Sequence, residues 1–427
     1  MKLSRVFAFM ALAGLTGSAF ATNGYFSHGY GMKAKGMGGA STASTDDAFG
    51  GANNPASMAF AGNRIDLGAD LFSPIREASN TGAFGPGTVT SESDSNYFVI
   101  PEFGYNYMLT SNLALGVTVY GNGGMNSDYP GIAAFGGANL LGGSGSLGVD
   151  LMQLIVAPTA AYKINPDHAL GISPLLGYQR FRAEGLQAFA GFQIPGTPSL
   201  ATNQGYDDAF GYGVRIGYIG KITPTITIGA AYASKINFEK FSKYAGLFAE
   251  QGDFDIPENY NLGIAWQATP VIKLALDYQR INYSGVNSVG NPVLPNFMNG
   301  MGASNGPGFG WDDMDIWKLG VEYKYNHKLT LRAGYSHTDS PITGNMTCAS
   351  LANCGEATLN ILAPAVIEDH ATLGFTYTMA SGNEVTMSYM HAFDNKVSGM
   401  RPATFGGGVD SIKMYQNSLG IQYSWKM

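Results

Sequence analysis

The sequence has few charged residues and no long apolar run. Only 13% of its 427 residues are charged, about half the proportion found in soluble domains. Beyond the first 21 residues, no stretch offers about 18 consecutive apolar residues, which excludes a transmembrane helix of ordinary length. The net charge of −7 and the lack of a basic run argue against a nucleic-acid partner.

The N-terminus has the features of an export signal. Lys2 and Arg5 precede the apolar run 6–15, and Ala19-Phe20-Ala21 has the small-x-small pattern of a cleavage site. We therefore expect residues 1–21 to be a signal peptide and the mature chain to begin at Thr22. The alternative is an uncleaved anchor helix, but the run is too short to cross a hydrocarbon core of about 30 Å.

Cysteine is also scarce. In an exported chain the two cysteines, Cys348 and Cys354, most simply form one disulfide that pins a local loop. The alternative, a metal site, would need more ligands than this pair and six scattered histidines offer. The sequence contains no phosphate-binding loop or nucleophile elbow, so we expect no cofactor, no metal and no catalytic residues.

Glycine and aromatic residues are abundant instead. The chain has 59 glycines and 12% aromatics. Within lipid every backbone polar group needs an internal partner, and a closed sheet is the only solution besides a helix. Low charge and export without a spanning helix therefore predict a membrane β-barrel.

Repeated segments of barrel-strand length support this prediction. We count fourteen, the first near Arg64–Ser73, the third near Leu113–Asn126 and the last near Lys413–Lys426. Their faces alternate: in the ninth, Ile272, Leu274, Leu276 and Tyr278 oppose Lys273, Ala275, Asp277 and Gln279. A soluble sandwich could show the same alternation, but aromatic residues at the ends of the apolar faces favour a membrane girdle.

The connections between these segments alternate between long and short. Even-numbered connections are tight, as at Thr223-Pro224, and odd-numbered ones are longer, as at 127–150 and 339–369. Outer-membrane barrels have short periplasmic turns and long outer loops. The order therefore predicts an all-β, 14-stranded antiparallel transmembrane barrel over residues 64–427, with both termini in the periplasm and both cysteines in an outer loop.

Residues 22–63 precede the first strand and are rich in glycine and alanine. They are too few for a domain with its own core. Their small and apolar residues favour a plug inside the barrel, and the alternative is a disordered periplasmic tail.

Short motifs in this segment resemble those of the FadL/TodX family of long-chain fatty acid and hydrocarbon transporters. The pieces are Gly36-Met37-Gly38-Gly39-Ala40, Thr45-Asp46-Asp47-Ala48 and the most specific one, Asn54-Pro55-Ala56 after Asn53. Ile256-Pro257-Glu258-Asn259-Tyr260 and Leu331-Arg332-Ala333-Gly334-Tyr335 resemble later strands of the family. The ordered set covers nearly the whole mature chain.

The resemblance implies that residues 22–63 form a hatch in the lumen and that ligands leave sideways where the third strand kinks. That strand contains Gly121, Asn122, Gly123 and Gly124. Glycine inside a strand marks a bulge or break, although small residues also relieve crowding in a barrel. Asn54, Pro55 and Ala56 would lie near the gap.

Two outer loops carry apolar residues that could capture a ligand. The candidates are Phe135, Leu140, Leu141 and Leu147 in one loop and Phe297, Met298 and Met301 in another. Exposed apolar residues often mark a binding groove, and methionine gives an adaptable lining. The alternative is that they pack on neighbouring loops.

Three charged residues, Lys318, Glu322 and Arg332, should face the lumen by parity. Fatty-acid members of the family hold the carboxylate with basic residues, but we favour a structural ion network for these three. The acidic stretch Trp311-Asp312-Asp313 puts a free carboxylate ligand further in doubt and leaves room for neutral hydrocarbons or aromatics.

These observations together predict a channel of the Gram-negative outer membrane for passive uptake of hydrophobic small molecules, and not an enzyme. The expected partners are a hydrophobic ligand, outer-membrane lipids with lipopolysaccharide, and the barrel assembly machinery, which would read the apolar C-terminus at Trp425 and Met427. We expect a monomer. The alternatives are a general porin for polar solutes and an adhesin or phage receptor.

Overall fold

The structure is a computed structural model that describes residues 22–194, 200–348 and 354–427. The predicted signal peptide, residues 1–21, lies outside the described residues. No helix among the described residues is both long enough and apolar enough to cross a membrane.

Strands dominate the described chain. They are β1 (Arg64–Gly82), β2 (Gly85–Glu92), β3 (Phe98–Met108), β4 (Leu113–Tyr129), β5 (Leu147–Asn165), β6 (His168–Glu184), β7 (Asp207–Lys221), β8 (Ile226–Ala233), β9 (Asn237–Phe238), β10 (Asn259–Thr269), β11 (Ile272–Ile281), β12 (Met314–Lys324), β13 (Leu329–Thr338), β14 (Asp369–Thr378), β15 (Glu384–Met400) and β16 (Val409–Lys426). Five helices of one turn are α1 (Met32–Lys35), α2 (Ala249–Gly252), α3 (Asn287–Gly290), α4 (Leu294–Phe297) and α5 (Glu356–Leu359). Short 3-10 turns occupy Pro55–Ala59, Ala133–Phe135, Gln187–Phe192, Ser242–Tyr244, Tyr283–Gly285 and Ala403–Phe405.

The strands form one closed antiparallel barrel. Pairing of β16 with β1, from Lys426 opposite Arg64 to Val409 opposite Thr81, closes the cylinder. Of the sixteen strands, β2 only extends a hairpin from β1, and β9 pairs two residues with β7. The other fourteen make the wall, which confirms the predicted strand number and topology.

Several strands are longer at their outer ends than the sequence pattern predicts. β1 continues to Gly82 instead of ending near Ser73, and β16 begins at Val409 instead of near Lys413. Beyond Ile75 the residues of β1 are mostly polar, so the apolar alternation stops there although backbone pairing continues. Hydropathy therefore marks the lipid-facing band and not the whole strand.

The outward face is apolar and the inward face is polar. Leu319 and Leu373 are half-exposed on the outside, whereas the inward Asp277 is buried. Tyrosine side chains on the outside near the outer ends donate to carboxylates of the neighbouring strand, as from Tyr178 to Asp208 at 2.8 Å. Such aromatic belts mark the membrane interface.

Residues 22–63, which we call the N-terminal segment, lie inside the barrel against its inward face. Ser41 and Thr42 donate their backbone N–H groups to Asp277 Oδ2, both at 2.8 Å. Gly334 lets the segment approach the wall closely, because a Cβ there would lie 2.1 Å from the backbone N of Gly38. The segment is thus packed inside the lumen and is not an extended tail.

Candidate functional site

Backbone pairing in the wall is interrupted between β3 and β4 within the described residues. These strands pair only from Phe103 opposite Val119 to Met108 opposite Ala114, although both continue further towards the outer side. β4 stays paired with β5 as far as Tyr129. Residues 120–127 of β4 thus have a strand partner on one side only, as far as the structure describes the chain. We call the space between them and residues 98–102 of β3 the lateral gap.

The upper rim of the lateral gap is closed by the segment that follows β2. Asp94 donates its backbone N–H to the carbonyl of Asp128 at 2.9 Å, and Asp128 donates to Ser93 Oγ at 3.0 Å. The gap, which we also call the window, is therefore bounded by the paired part of β3 and β4 below and by Ser93 and Asp94 above.

The predicted kink lies at this window. Against β5 the register shifts between Gly121, opposite Leu154, and Gly123, opposite Gln153. Asn122 is therefore the extra residue of a β-bulge, a feature that bends the bulged strand.

Part of the N-terminal segment covers the free edge of β4. Ser27 donates its backbone N–H to the carbonyl of Asn122, and Gly124 donates to the carbonyl of Tyr25, both at 3.1 Å. Phe26 forms an isolated antiparallel bridge with Gly123. Residues 25–27 thus act as a very short strand on this edge.

The Asn54-Pro55-Ala56 motif lies elsewhere, and our prediction that it borders the gap was wrong. Asn54 Nδ2 donates to the carbonyls of Tyr218 in β7 and Thr42, at 2.9 and 2.8 Å. Its Oδ1 accepts the N–H of Ala56 at 3.1 Å and so caps the 3-10 turn Pro55–Ala59. Because the cap uses only Oδ1, the side-chain NH2 group of Asn54 can donate to these two carbonyls. The motif thereby attaches the segment to β7.

A narrow cavity with room for about one water molecule, lined mainly by apolar atoms, lies beside the lateral gap. Its lining includes Phe72, Met125, Trp311 and Pro364. The Trp311 ring lies 5.8 Å from that of Tyr25, measured between centroids. We call this cavity the apolar chamber; it joins the outer loops to the residues that cover the gap.

Most predicted capture residues are buried, which corrects the expected open groove. Leu140, Leu141, Leu147, Phe297 and Met301 all belong to the hydrophobic core beneath the outer loops. For these five the alternative of packing against neighbouring loops is correct, since the loops fold inward over the barrel.

Only Phe135 and Met298 of the predicted set are exposed, at 38% and 89%. Phe135 packs on Phe84, with 5.0 Å between ring centroids. Of the predicted set, these two side chains are the ones that solvent reaches.

Four phenylalanines from three outer loops meet near Met298. Phe297 and Phe405 have centroids 5.0 Å apart, and Phe192 lies 5.6 Å from Phe297 and 5.5 Å from Phe405. Phe189 completes this phenyl cluster, 5.1 Å from Phe405. Phe192 and Phe405 are partly exposed. Phe189, Phe192 and Phe405 were not predicted from the sequence, since no local pattern brings these loops together.

The three predicted lumenal charges face inward and make structural contacts. Lys318 Nζ donates to the carbonyl of His28 at 3.1 Å. Glu322 pairs with Arg332 at 2.7 Å and with Lys273 at 3.1 Å. These contacts fit the ion network that we favoured over a carboxylate site.

A further ion pair network, not predicted from the sequence, holds the N-terminal segment beside the gap. Lys35 Nζ lies 2.8 Å from Asp70 of β1 and 2.7 Å from Glu102 of β3. Burial alone would lower the pKa of Lys35, but these two carboxylates raise it above its usual range. Glu102 also accepts the N–H of Gly31 at 3.0 Å.

The outer loop between β13 and β14 contains the disulfide between Cys348 and Cys354. Residues 349–353 inside that loop lie outside the described residues. Within the described ranges, no three His, Cys, Asp or Glu side chains are grouped as a metal site would require.

Comparisons with known proteins agree with this architecture. The Pseudomonas putida toluene transporter TodX is 19% identical, with a TM-score of 0.67 over 94% of this chain and 99% of that one. A Pseudomonas aeruginosa FadL homologue is 16% identical, with a TM-score of 0.67 and the same coverage. The Ralstonia pickettii toluene transporter TbuX is 18% identical, with a TM-score of 0.64 over 94% and 99%. At these low identities, the TM-scores show a shared fold and no more.

A search of curated proteins finds no match. The family model described as outer membrane protein transport protein (OMPP1/FadL/TodX) matches residues 9–401. This match spans most of the barrel together with the N-terminal segment and the lateral gap. The chain therefore belongs to the OMPP1/FadL/TodX family of outer-membrane transport proteins.

Proposed function

We propose that this protein takes up hydrophobic small molecules passively, either long-chain fatty acids or neutral hydrocarbons and aromatics, and releases them sideways through the lateral gap. The observation that carries the proposal is the edge of β4, where residues 25–27 replace a wall strand. Two of the similar structures are toluene transporters, which supports a hydrophobic ligand here.

Capture would occur at the phenyl cluster. A ligand that covers Phe192, Phe405 and Met298 gains about 25 cal/mol for each Å2 of apolar surface removed from water. Aromatic ligands gain further from edge-to-face contacts with the rings. Phe135 offers a second exposed contact.

The N-terminal segment would act as a hatch that blocks polar solutes. Its buried contacts with Asp277, Asp70 and Glu102 fill the inward side of the wall. This packing argues against a general porin, which needs an open polar lumen.

Release would require residues 25–27 to leave the edge of β4. Two backbone hydrogen bonds hold them there, from Ser27 and Gly124, and each contributes about 1 kcal/mol. Parting two wall strands would break many more such bonds. The gap is therefore the place where the wall opens most readily, and an apolar ligand that pushes apart the residues around the chamber would pass from there directly into lipid.

The lumenal charges support a neutral ligand over a free carboxylate. Arg332 is paired with Glu322, and Lys318 donates a hydrogen bond to the carbonyl of His28. A carboxylate bound there would have to displace these contacts.

The proposal extends to the surroundings of the barrel. We propose that the signal peptide is cleaved before Thr22, that the protein is a monomer assembled by the barrel assembly machinery, and that its outer band contacts lipopolysaccharide. An additional role as an adhesin or phage receptor is compatible with transport, since outer loops serve both.

Deleting Asn122 tests the lateral exit. The deletion removes the extra residue of the bulge and restores continuous pairing of β4 with β5, so β4 should straighten towards β3. We expect the initial rate of naphthalene uptake by cells that lack other transporters of this family to fall at least fivefold.

The matched control is Asn122→Ala, which keeps the bulge and loses only the side-chain bonds to Gln153 and to the Tyr30 hydroxyl, which still donates to the carbonyl of residue 122. It should retain more than half of the uptake rate. Normal uptake by the deletion variant, with folded protein present in the membrane, would contradict the lateral exit.

A further inference from the structure

Arg76 lies at the lateral gap and reaches across it. It is an inward residue of β1, in the stretch above the last pair that β1 makes with β3, Phe72 opposite Phe98. Its Nη1 donates to the backbone carbonyl of Asn126 on the free edge of β4. Nη2 lies 3.5 Å from Asn96 Oδ1, and the guanidinium lies over the Phe98 ring, 5.8 Å from its centroid.

The guanidinium is almost fully buried yet has no carboxylate partner. Arg76 is 2% exposed. Of the other buried arginines, Arg64, Arg332 and Arg401 each pair with a carboxylate, whereas Arg76 and Arg215 make no ion pair within the described residues; Arg215 donates to the carbonyls of Gly51 and Ala52 in the N-terminal segment. Its Nε also has no hydrogen-bond partner among them. A buried charge without an ionic partner is costly, so stability does not explain this residue.

Arg76 also borders the apolar chamber. It lines the same cavity as Phe72, Met125 and Trp311. A ligand that moves from the chamber towards the lipid therefore passes the guanidinium. Below Arg76, residues 25–27 cover the edge of β4 at positions 122–124. The window is thus divided into a lower part, covered by the N-terminal segment, and an upper part, crossed by Arg76.

We propose that Arg76 is a specificity-determining residue that limits the width of ligands leaving through the lateral gap. Its hydrogen bonds to Asn126 tie β1 to the free edge of β4, so the upper part of the window stays shut while the lower part opens. This inference rests on the proposed lateral exit. Narrow apolar molecules pass below the guanidinium, and broad ones are held back.

The test compares Arg76→Met and Arg76→Ala with the unaltered protein. Methionine keeps most of the side-chain volume but cannot bond to Asn126, and alanine removes both. We expect both variants to fold, because each removes a buried charge that has no carboxylate partner, and heat-modifiability on gels checks this. The control is Arg180→Met, since Arg180 shares the outward parity of the exposed Leu176 in β6.

The readout is the initial uptake of naphthalene, pyrene and oleate. We expect both Arg76 variants to raise pyrene uptake at least threefold and to change naphthalene uptake less than twofold, with the Arg180 variant unchanged. Unchanged pyrene uptake would overturn the proposal. A rise in the alanine variant alone would also overturn it, because the bulk of the Arg76 side chain, and not its hydrogen bonds to Asn126, would then set the width of the opening. A selective loss of oleate uptake would also overturn it, since Arg76 would then bind an anion.

A third arm separates this inference from the proposed function. Deletion of Asn122 in the Arg76→Ala background should abolish the gain in pyrene uptake if the gain passes through the lateral gap. If the deletion leaves naphthalene uptake normal in the protein with Arg76 intact, the lateral exit itself fails. If the deletion blocks naphthalene but the Arg76 variants behave like the unaltered protein, only the role of Arg76 fails.

Discussion

Gly123 of β4 lies so close to Tyr25 that a Cβ at position 123 would be 1.6 Å from the Tyr25 carbonyl oxygen. No side chain fits at that distance, so the N-terminal segment and the bulged strand are complementary only while position 123 is glycine. This contact joins the two features on which the proposed exit depends, the bulge in the wall and the segment that covers it.

Gly123→Ala should therefore displace residues 25–27 from the edge of β4. We expect faster hydrogen exchange at the amides of Ser27 and Gly124, and at least a twofold rise in naphthalene uptake. Gly191→Ala is the control, because a Cβ at Gly191 meets nothing within 4 Å. Unaltered exchange at both amides would show that the contact does not hold the segment in place.

The sequence predicted the barrel well because strand alternation is a local property. All fourteen wall strands and the inward parity of Lys318, Glu322 and Arg332 follow from period-two patterns. The bulge was predicted from a glycine cluster and the family resemblance. Which part of residues 22–63 would face it was not predictable, because this depends on contacts such as that of Asn54 with Tyr218, 164 residues away.

The site residues that were missed show two further limits. Phe189 and Phe405 come from different outer loops and meet the predicted Phe297 of a third loop, and only the order of strands in the barrel brings them together. Arg76 lies beyond the predicted end of the first strand at Ser73. Arg76 has the same parity in β1 as the inward Asp66 and Asp70. A strand that continues beyond the apolar band therefore predicts that Arg76 faces inward.

Lys35→Met should loosen the N-terminal segment. The substitution leaves Asp70 and Glu102 buried without their shared cation, at a cost of about 3–5 kcal/mol. We expect proteoliposomes to become permeable to small sugars in a swelling assay. Lys221→Met, at an exposed position at the end of β7, is the control and should leave them sealed.

Neutralising Asp70 and Glu102 in the Lys35→Met variant should restore the barrier to small sugars. Adding Asp70→Asn and Glu102→Gln to Lys35→Met removes the unpaired charges, and swelling should then fall towards the level of the unaltered protein. Equal swelling by the single and triple variants would mean that charge at this site does not hold the segment.

Phe405→Ala should weaken capture without changing release. The substitution removes the ring that contacts Phe189, Phe192 and Phe297, so the phenyl cluster loses its centre. We expect the naphthalene concentration for half-maximal uptake to rise at least threefold, with the maximal rate within twofold. Phe210→Ala is the control, because Phe210 is 63% exposed on the outer face of β7. A fall in maximal rate alone would place Phe405 on the exit route.

The outer loop that carries α5 should become less stable as the pH rises. Burial raises the pKa of Glu356 from its ordinary value of 4.5 to about 8, and the nearby Asp312 acts in the same direction. The N–H of Thr343, which donates to Glu356 Oε2 at 3.0 Å, opposes the shift but does not cancel it. Between these two pKa values the folded loop binds more protons than the unfolded one, so its stability falls across this range and is constant above it.

Hydrogen exchange of α5, corrected for the intrinsic effect of pH, measures this dependence. Protection factors at the α5 amides should fall about a hundredfold between pH 6 and pH 9, since stability falls by about 1.4 kcal/mol for each of the two pH units between pH 6 and the folded-state pKa of about 8. Glu356→Gln stays neutral, so its protection should be independent of pH. Glu239→Gln, at an exposed carboxylate, should retain the dependence of the unaltered protein. Equal protection of α5 in the unaltered protein at both pH values would mean that Glu356 is ionised in the folded loop and is stabilised there by the Thr343 N–H.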